Sequence, residues 1–145
     1  MVRTSGVFGP GGLNTARGNF VELMLRLARS GNPIRVVEDH VASPTFAPLL
    51  AARTIDLVER EQSGVFHVGG GTPTSWFQFA RLIFQAAQVE PMLLATNERE
   101  YRTPARRPRY SALSNAKMER AGLEPLPPLA QVLVSYFEER KRKTG

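Results

Sequence analysis

The sequence predicts an α/β fold, and three features of it carry that prediction. Short β-branched or aromatic runs alternate with segments whose apolar residues recur at helical spacing. Glycine and proline clusters fall between these segments and not inside them. A composition of 42% apolar and 22% charged residues describes a chain that folds and does not stay disordered. At 145 residues the chain is expected to form a single unit over 1–145. That length suffices to bury about two thirds of the surface its unfolded form exposes.

Val2–Phe8 reads as one strand, closed by the breaker Gly9-Pro10-Gly11-Gly12. A glycine-rich turn cradles phosphate only when a helix follows at once. Leu13–Gly18 intervene here, so the segment is read as a plain turn. Asn19 is the expected N-cap of a helix in which Phe20, Leu23, Met24, Leu27 and Ala28 recur at helical spacing, with Gly31 as its stop. Pro33–Glu38 is the next strand, and Asp39–Thr45 a polar loop. Thr45 is then expected to cap a helix over Phe46–Glu61, with Pro48 in the first turn, where its missing N–H costs little. Gly64–Val68 is a strand stopped by Gly69-Gly70-Gly71. Thr74 or Ser75 caps a helix over Trp76–Ala87, and Trp76 and Phe77 are expected in the core. Met92–Ala95 is a brief strand, Asn115–Ala121 a short helix, and Pro128–Lys141 the final helix.

Charge and composition exclude several function classes. The net charge of +6 is concentrated in Arg99–Arg109 and in the tail Arg140–Lys143, which reads as a solvated end. No aromatic-rich RNA- or DNA-reading motif accompanies the charge, so nucleic acid is not an expected partner. The absence of cysteine removes disulfides and thiolate metal sites. His40 and His67 stand far apart and outside metal-ligand spacing, so no metal is expected. Without a long apolar run or a leader-like segment, the expected setting is the cytoplasm, with no membrane partner.

Arg102, Arg106, Arg107 and Arg109 are interleaved with Pro104 and Pro108, which bias the backbone toward a stiff, extended connector. Such a connector presents planar, bidentate donors to phosphate or carboxylate, though spacing equally allows a solvated basic loop. His40 beside Asp39 leaves a general base and a hydrogen-bonded structural histidine both open. Glu98 and Glu100 have no evident acid–base partner, and no Gly-x-Ser-x-Gly elbow is present.

Five stretches, in order, resemble the dTDP-4-dehydrorhamnose reductase family of extended short-chain dehydrogenase/reductases. VRTSGVFG is similar to its R-T-S-W-V-Y-G strand end, and NFVELMLRLARSGNPIRVVEDH to its N-F-V-x-x-M-L helix leading to V-V-x-D-Q. ASPTFAPLLA is similar to G-x-P-T-Y-A-x-D-L-A, and GVFHVGGGTPTSWFQFARLIF to G-x-Y-H-x-x-G-x-x-T-S-W-x-x-F-A. The stretch from Thr103 onward, TPARRPRYSALSNAKMERAGL, resembles the family's R-P-x-x-S-x-L run and short helix.

The resemblance implies the C-terminal part of such an enzyme: the end of the Rossmann-like sheet plus the small substrate-binding domain. The complete family enzyme uses NADPH to reduce the 4-keto group of dTDP-4-dehydro-L-rhamnose. Its glycine-rich cofactor turn and catalytic Tyr-x-x-x-Lys lie upstream of the residues matched here. Four residues beyond Tyr101, Tyr110 and Tyr136 stand Ala105, Ser114 and Arg140, so no catalytic residue is expected in this chain and no cofactor for it alone. The resemblance places Arg107, with Arg106 assisting, at the diphosphate of a dTDP-sugar, and His40, Pro44, Thr45 and Ser111 around the same pocket. Thr4 and Ser5 would approach the cofactor in a complete enzyme. Departures are Gly6 for tryptophan, His40 for glutamine, Ala42 for glycine and Leu49 for aspartate. Exposed strand edges imply self-association or pairing with a separately encoded N-terminal half. A non-catalytic interaction or regulatory subunit with a degenerate pocket is the competing reading.

Overall fold

The computed structural model describes residues 1–16, 18–101 and 106–144. Arg102 and Pro104 of the basic connector lie outside the described residues. The strands are β1 (Val2–Arg3), β2 (Val7–Phe8), β3 (Ile34–Val37), β4 (Val41–Ala42), β5 (Thr45–Phe46), β6 (Phe66–His67), β7 (Thr74–Ser75) and β8 (Leu93–Thr96). The helices are α1 (Phe20–Arg29), α2 (Ala47–Glu59), α3 (Trp76–Ala87), α4 (Ala116–Arg120) and α5 (Leu129–Thr144). β1 pairs with β6, β2 with β5 and β3 with β8, all parallel, and β4 pairs with β7 antiparallel. A helix lies between the members of every parallel pair, as the crossover between parallel strands requires.

Several sequence expectations need correction. The first strand is two: Gly6, at φ 57, turns the chain through the left-handed region and separates β1 from β2. The Asp39–Thr45 segment holds two short strands where a loop was expected. Thr45 does not cap α2, because it lies in β5 with its hydroxyl committed elsewhere. Its Oγ1 sits 2.8 Å from the Ser5 carbonyl and 2.7 Å from that of Ser43, and accepts the Gly70 N–H at 3.0 Å. Phe46 takes the cap position with no side-chain bond. The other caps are as the sequence reads. Asn19 accepts from the Glu22 N–H, and Ser75 exchanges bonds with Gln78 in a capping box.

The core has two parts. In the first, Phe8 is centred among rings, 5.2 Å from Phe79, 5.7 Å from Phe46 and 5.8 Å from Tyr136. It joins the inner faces of α1, α3 and α5. In the second, Leu57, Phe66, Val68, Met118, Leu123 and Leu126 pack α2 and α4 around β6. Leu49, where the resemblance expects aspartate, packs against both parts and gains burial by being apolar. Arg140, read as part of a solvated tail, instead folds back onto α1, donating from Nε to Glu22 at 2.8 Å.

Candidate functional site

A cleft of about 910 Å³ opens between α1, β3, the start of α3 and the basic connector. Its apolar wall comes from α1 through Phe20, Leu23 and Leu27, and from Trp76. Of the α1 residues at helical spacing, Met24 is buried in the core and Phe20, Leu23 and Ala28 pack against it, while Phe20, Leu23, Met24 and Leu27 also line the cleft. The stripe therefore divides between core and cleft. Trp76 does both jobs: its ring lies 4.8 Å from Phe20 and 6.1 Å from Phe79, yet it remains on the cleft wall. Arg35, Arg99, Arg106 and Arg107 also line the cleft, and Gly6 contributes bare backbone to it.

The connector is fastened on both sides of its undescribed stretch. Before it, the Asn97 carbonyl accepts the N–H groups of Glu100 and Tyr101, at 3.2 and 2.9 Å, in a tight turn. After it, Val41 donates its N–H to the Arg109 carbonyl and accepts from the Ser111 N–H, both at 2.8 Å. These ties hold Arg106 and Arg107 at the cleft without burying them.

Glu98 is the acidic group of this wall, and sequence reading gave it no partner. The structure gives it two neighbours. Arg109 donates from Nε to its Oε2 at 2.9 Å, and His40 Nε2 stands 3.7 Å from the same oxygen. The bond from Arg109 holds the Glu98 carboxyl below its ordinary value, and the same bond raises Arg109. Asp39 accepts the Glu98 N–H with both oxygens at 3.2 Å. Donor atoms of Asp39, His40 and Glu98 all lie within 4.8 Å of one another. Arg109 already pairs with Glu98 there, and Asp39 is spent on the backbone, so the trio is an ion-pair cluster in its chemistry.

The remaining residues singled out by sequence are distributed unevenly. His40, Arg106 and Arg107 come together in the cleft. Pro44 and Thr45 are buried behind it, backing the wall at Gly6, whose carbonyl accepts the Thr45 N–H at 3.1 Å. Ser5 donates its hydroxyl to that of Ser111 at 3.1 Å, one residue from Gly6, and Thr4 is exposed. The glycine-rich Gly9–Gly12 turn forms no phosphate cradle. The Gly12 N–H is spent on the Gly9 carbonyl at 3.1 Å, and Asn19 Nδ2 donates to that carbonyl at 2.9 Å.

The profile of the RmlD substrate binding domain matches residues 1–142. The chain belongs to this family. The spore coat polysaccharide biosynthesis protein SpsK of Bacillus subtilis (strain 168) is 37% identical over 140 residues, covering 97% of this chain and 47% of that protein. The dTDP-4-dehydrorhamnose reductase of Aggregatibacter actinomycetemcomitans is 33% identical, covering 86% of this chain and 45% of that protein. The crystal structure of dTDP-4-dehydrorhamnose reductase from Bacillus anthracis in complex with NADP superposes with a TM-score of 0.85 at 31% identity, over 95% of this chain and 47% of that one. The α/β fold is thus that of the substrate-binding part of RmlD-like extended reductases. The chain spans about half the length of the curated relatives it matches.

Proposed function

We propose that the chain is the substrate-binding half of a dTDP-4-dehydrorhamnose reductase-like enzyme, and that its cleft receives the dTDP part of a nucleotide sugar. One observation carries this reading: an apolar wall and a set of guanidiniums share a single cleft. Leu23, Leu27 and Trp76 offer an apolar face to a base, while Arg106 and Arg107 suit the bidentate grip that a diphosphate accepts. The names of the relatives support the substrate class. His40 acts from behind the Glu98 carboxylate, Pro44 and Thr45 shape the wall at Gly6, and Ser111 steadies it through Ser5.

NADPH binding and hydride chemistry are assigned to a complementary half, and no step of them is placed on residues of this chain. Thr4 and Ser5 would meet the cofactor only when that half is docked. By itself the chain is expected to leave NADPH unconsumed in the presence of the keto-sugar. A non-catalytic interaction subunit is the second reading, favoured by Gly6, which leaves bare backbone where the resemblance expects an aromatic wall.

Calorimetric titration with dTDP-rhamnose separates the two. Binding that Arg107→Ala weakens by about tenfold or more, as loss of a charge-assisted contact requires, supports the cleft reading. Absence of heat with the unaltered chain supports the interaction subunit.

A further inference from the structure

His40 presents an unresolved polar contact. Its side chain is 9% exposed, and Nε2 has no hydrogen-bond partner and no access to solvent. The nearest polar atom is Glu98 Oε2 at 3.7 Å, too far for a bond. A neutral imidazole with its lone pair on Nε2 would set acceptor against acceptor. One with a proton there would leave a buried donor unmatched. An imidazolium that closed the gap by less than about 1 Å would convert the contact into a charge-assisted bond.

The consequence reaches the cleft because Glu98 lines it together with Arg106 and Arg107. The charged groups nearest the imidazole are Asp39 and Glu98, with Arg109 bonded to Glu98; Arg35 from β3, Arg99 from the turn after β8, and Arg106 and Arg107 from the connector share the cleft with it. The first turn of α3 contributes Trp76, whose N–H donates to the His40 carbonyl at 3.2 Å, and no charge. Glu98 is the carboxylate that opposes an anion in this positively lined cleft, and Arg109 occupies only one side of it.

We propose that His40 is a positioning residue that makes anion binding in the cleft proton-linked: as an imidazolium it donates to Glu98 Oε2, engages the opposing carboxylate and adds a positive charge to the wall. This rests on the reading of the cleft as a diphosphate site. Affinity for a diphosphate then rises as the solution is acidified.

The test is titration of the chain with dTDP-rhamnose, a diphosphate diester of constant charge, between about pH 5.5 and 8. Affinity is expected to fall about three- to tenfold across that window, the size of effect expected of one unit charge within a Debye length. His40→Gln donates to Glu98 without titrating, so its affinity is expected to be flat with pH. Glu98→Gln removes the opposing charge and is expected to bind more tightly at the alkaline end, with a shallower slope. A flat wild-type profile with binding intact overturns the proposal and leaves the cleft reading standing. So does a His40→Gln variant that keeps the wild-type slope, which is what a purely structural histidine would give. No binding at any pH overturns the cleft reading and this proposal with it.

Discussion

A Cβ built on Gly70 would overlap the carbonyl oxygen of Pro44 and stand 3.0 Å from its carbonyl carbon, while one on Gly69 would stand 3.0 Å from Ser43 Cβ. The turn after β6 therefore rests directly on the backbone that enters β5, and the Gly70 N–H to Thr45 Oγ1 bond seals the joint. Because the obstacle is backbone, it cannot move aside as a flexible side chain would. Gly70→Ala is expected to destabilise the chain by about 2–3 kcal/mol in urea unfolding. Gly11→Ala, with nothing within 4 Å of its added carbon, is expected to change stability by less than about 0.5 kcal/mol. Equal effects of the two substitutions would contradict this account. Both partners of the joint were conspicuous in the sequence, the Pro44-Thr45 pair as a pocket motif and the glycine triplet as a breaker. Their meeting was not legible, because nothing local records which turn lands on which strand.

Helices α1 and α5 are locked by a partly buried polar contact that the sequence also hides. Glu22 Oε1 accepts from Tyr136 Oη and from Arg140 Nε, each at 2.8 Å, and Oε2 accepts from Arg140 Nη2 at 3.2 Å. Burial raises the Glu22 carboxyl, but the bonds from Arg140 and Tyr136 outweigh it, and the net value lies below the ordinary 4.5. A carboxyl depressed on folding contributes stability above its unfolded value and loses it as pH falls through the folded one. Glu22→Gln is accordingly expected to cost about 1–3 kcal/mol near neutral pH. The gap between variant and wild type should narrow below about pH 4.5 in chemical unfolding. A gap that stays constant into acid would show that the charge contributes nothing. The sequence exposed α1, α3 and α5 through spacing and caps, since those signals are local. It could not tell which apolar residues of α1 face the core and which face the cleft, because burial under protein and burial under a ligand select the same side chains. Arg140 was read as tail for a related reason: its partner is 118 positions away.

At the scale of the whole chain, the strands pair two by two. Among the described residues β1 pairs only with β6 and β2 only with β5, so each has one edge outside a strand ladder. On α2, Ile55 and Val58, three positions apart and so on one face, are 56% and 71% exposed. The relatives carry about as much chain again. Exposed apolar area and open strand edges favour contact with a second copy over contact with water. Sedimentation equilibrium at tens of micromolar is expected to report species heavier than the 16.1 kDa monomer. Ile55→Glu combined with Val58→Glu is expected to shift the distribution toward monomer and to lower binding of an apolar dye, if that helix face is what associates. A complementary chain offering strands to those edges is expected to dissolve the homo-oligomer by competing for them. A dye-silent monomer at every concentration would mean that the edges are already satisfied within the chain, and would remove the physical case for a docking half.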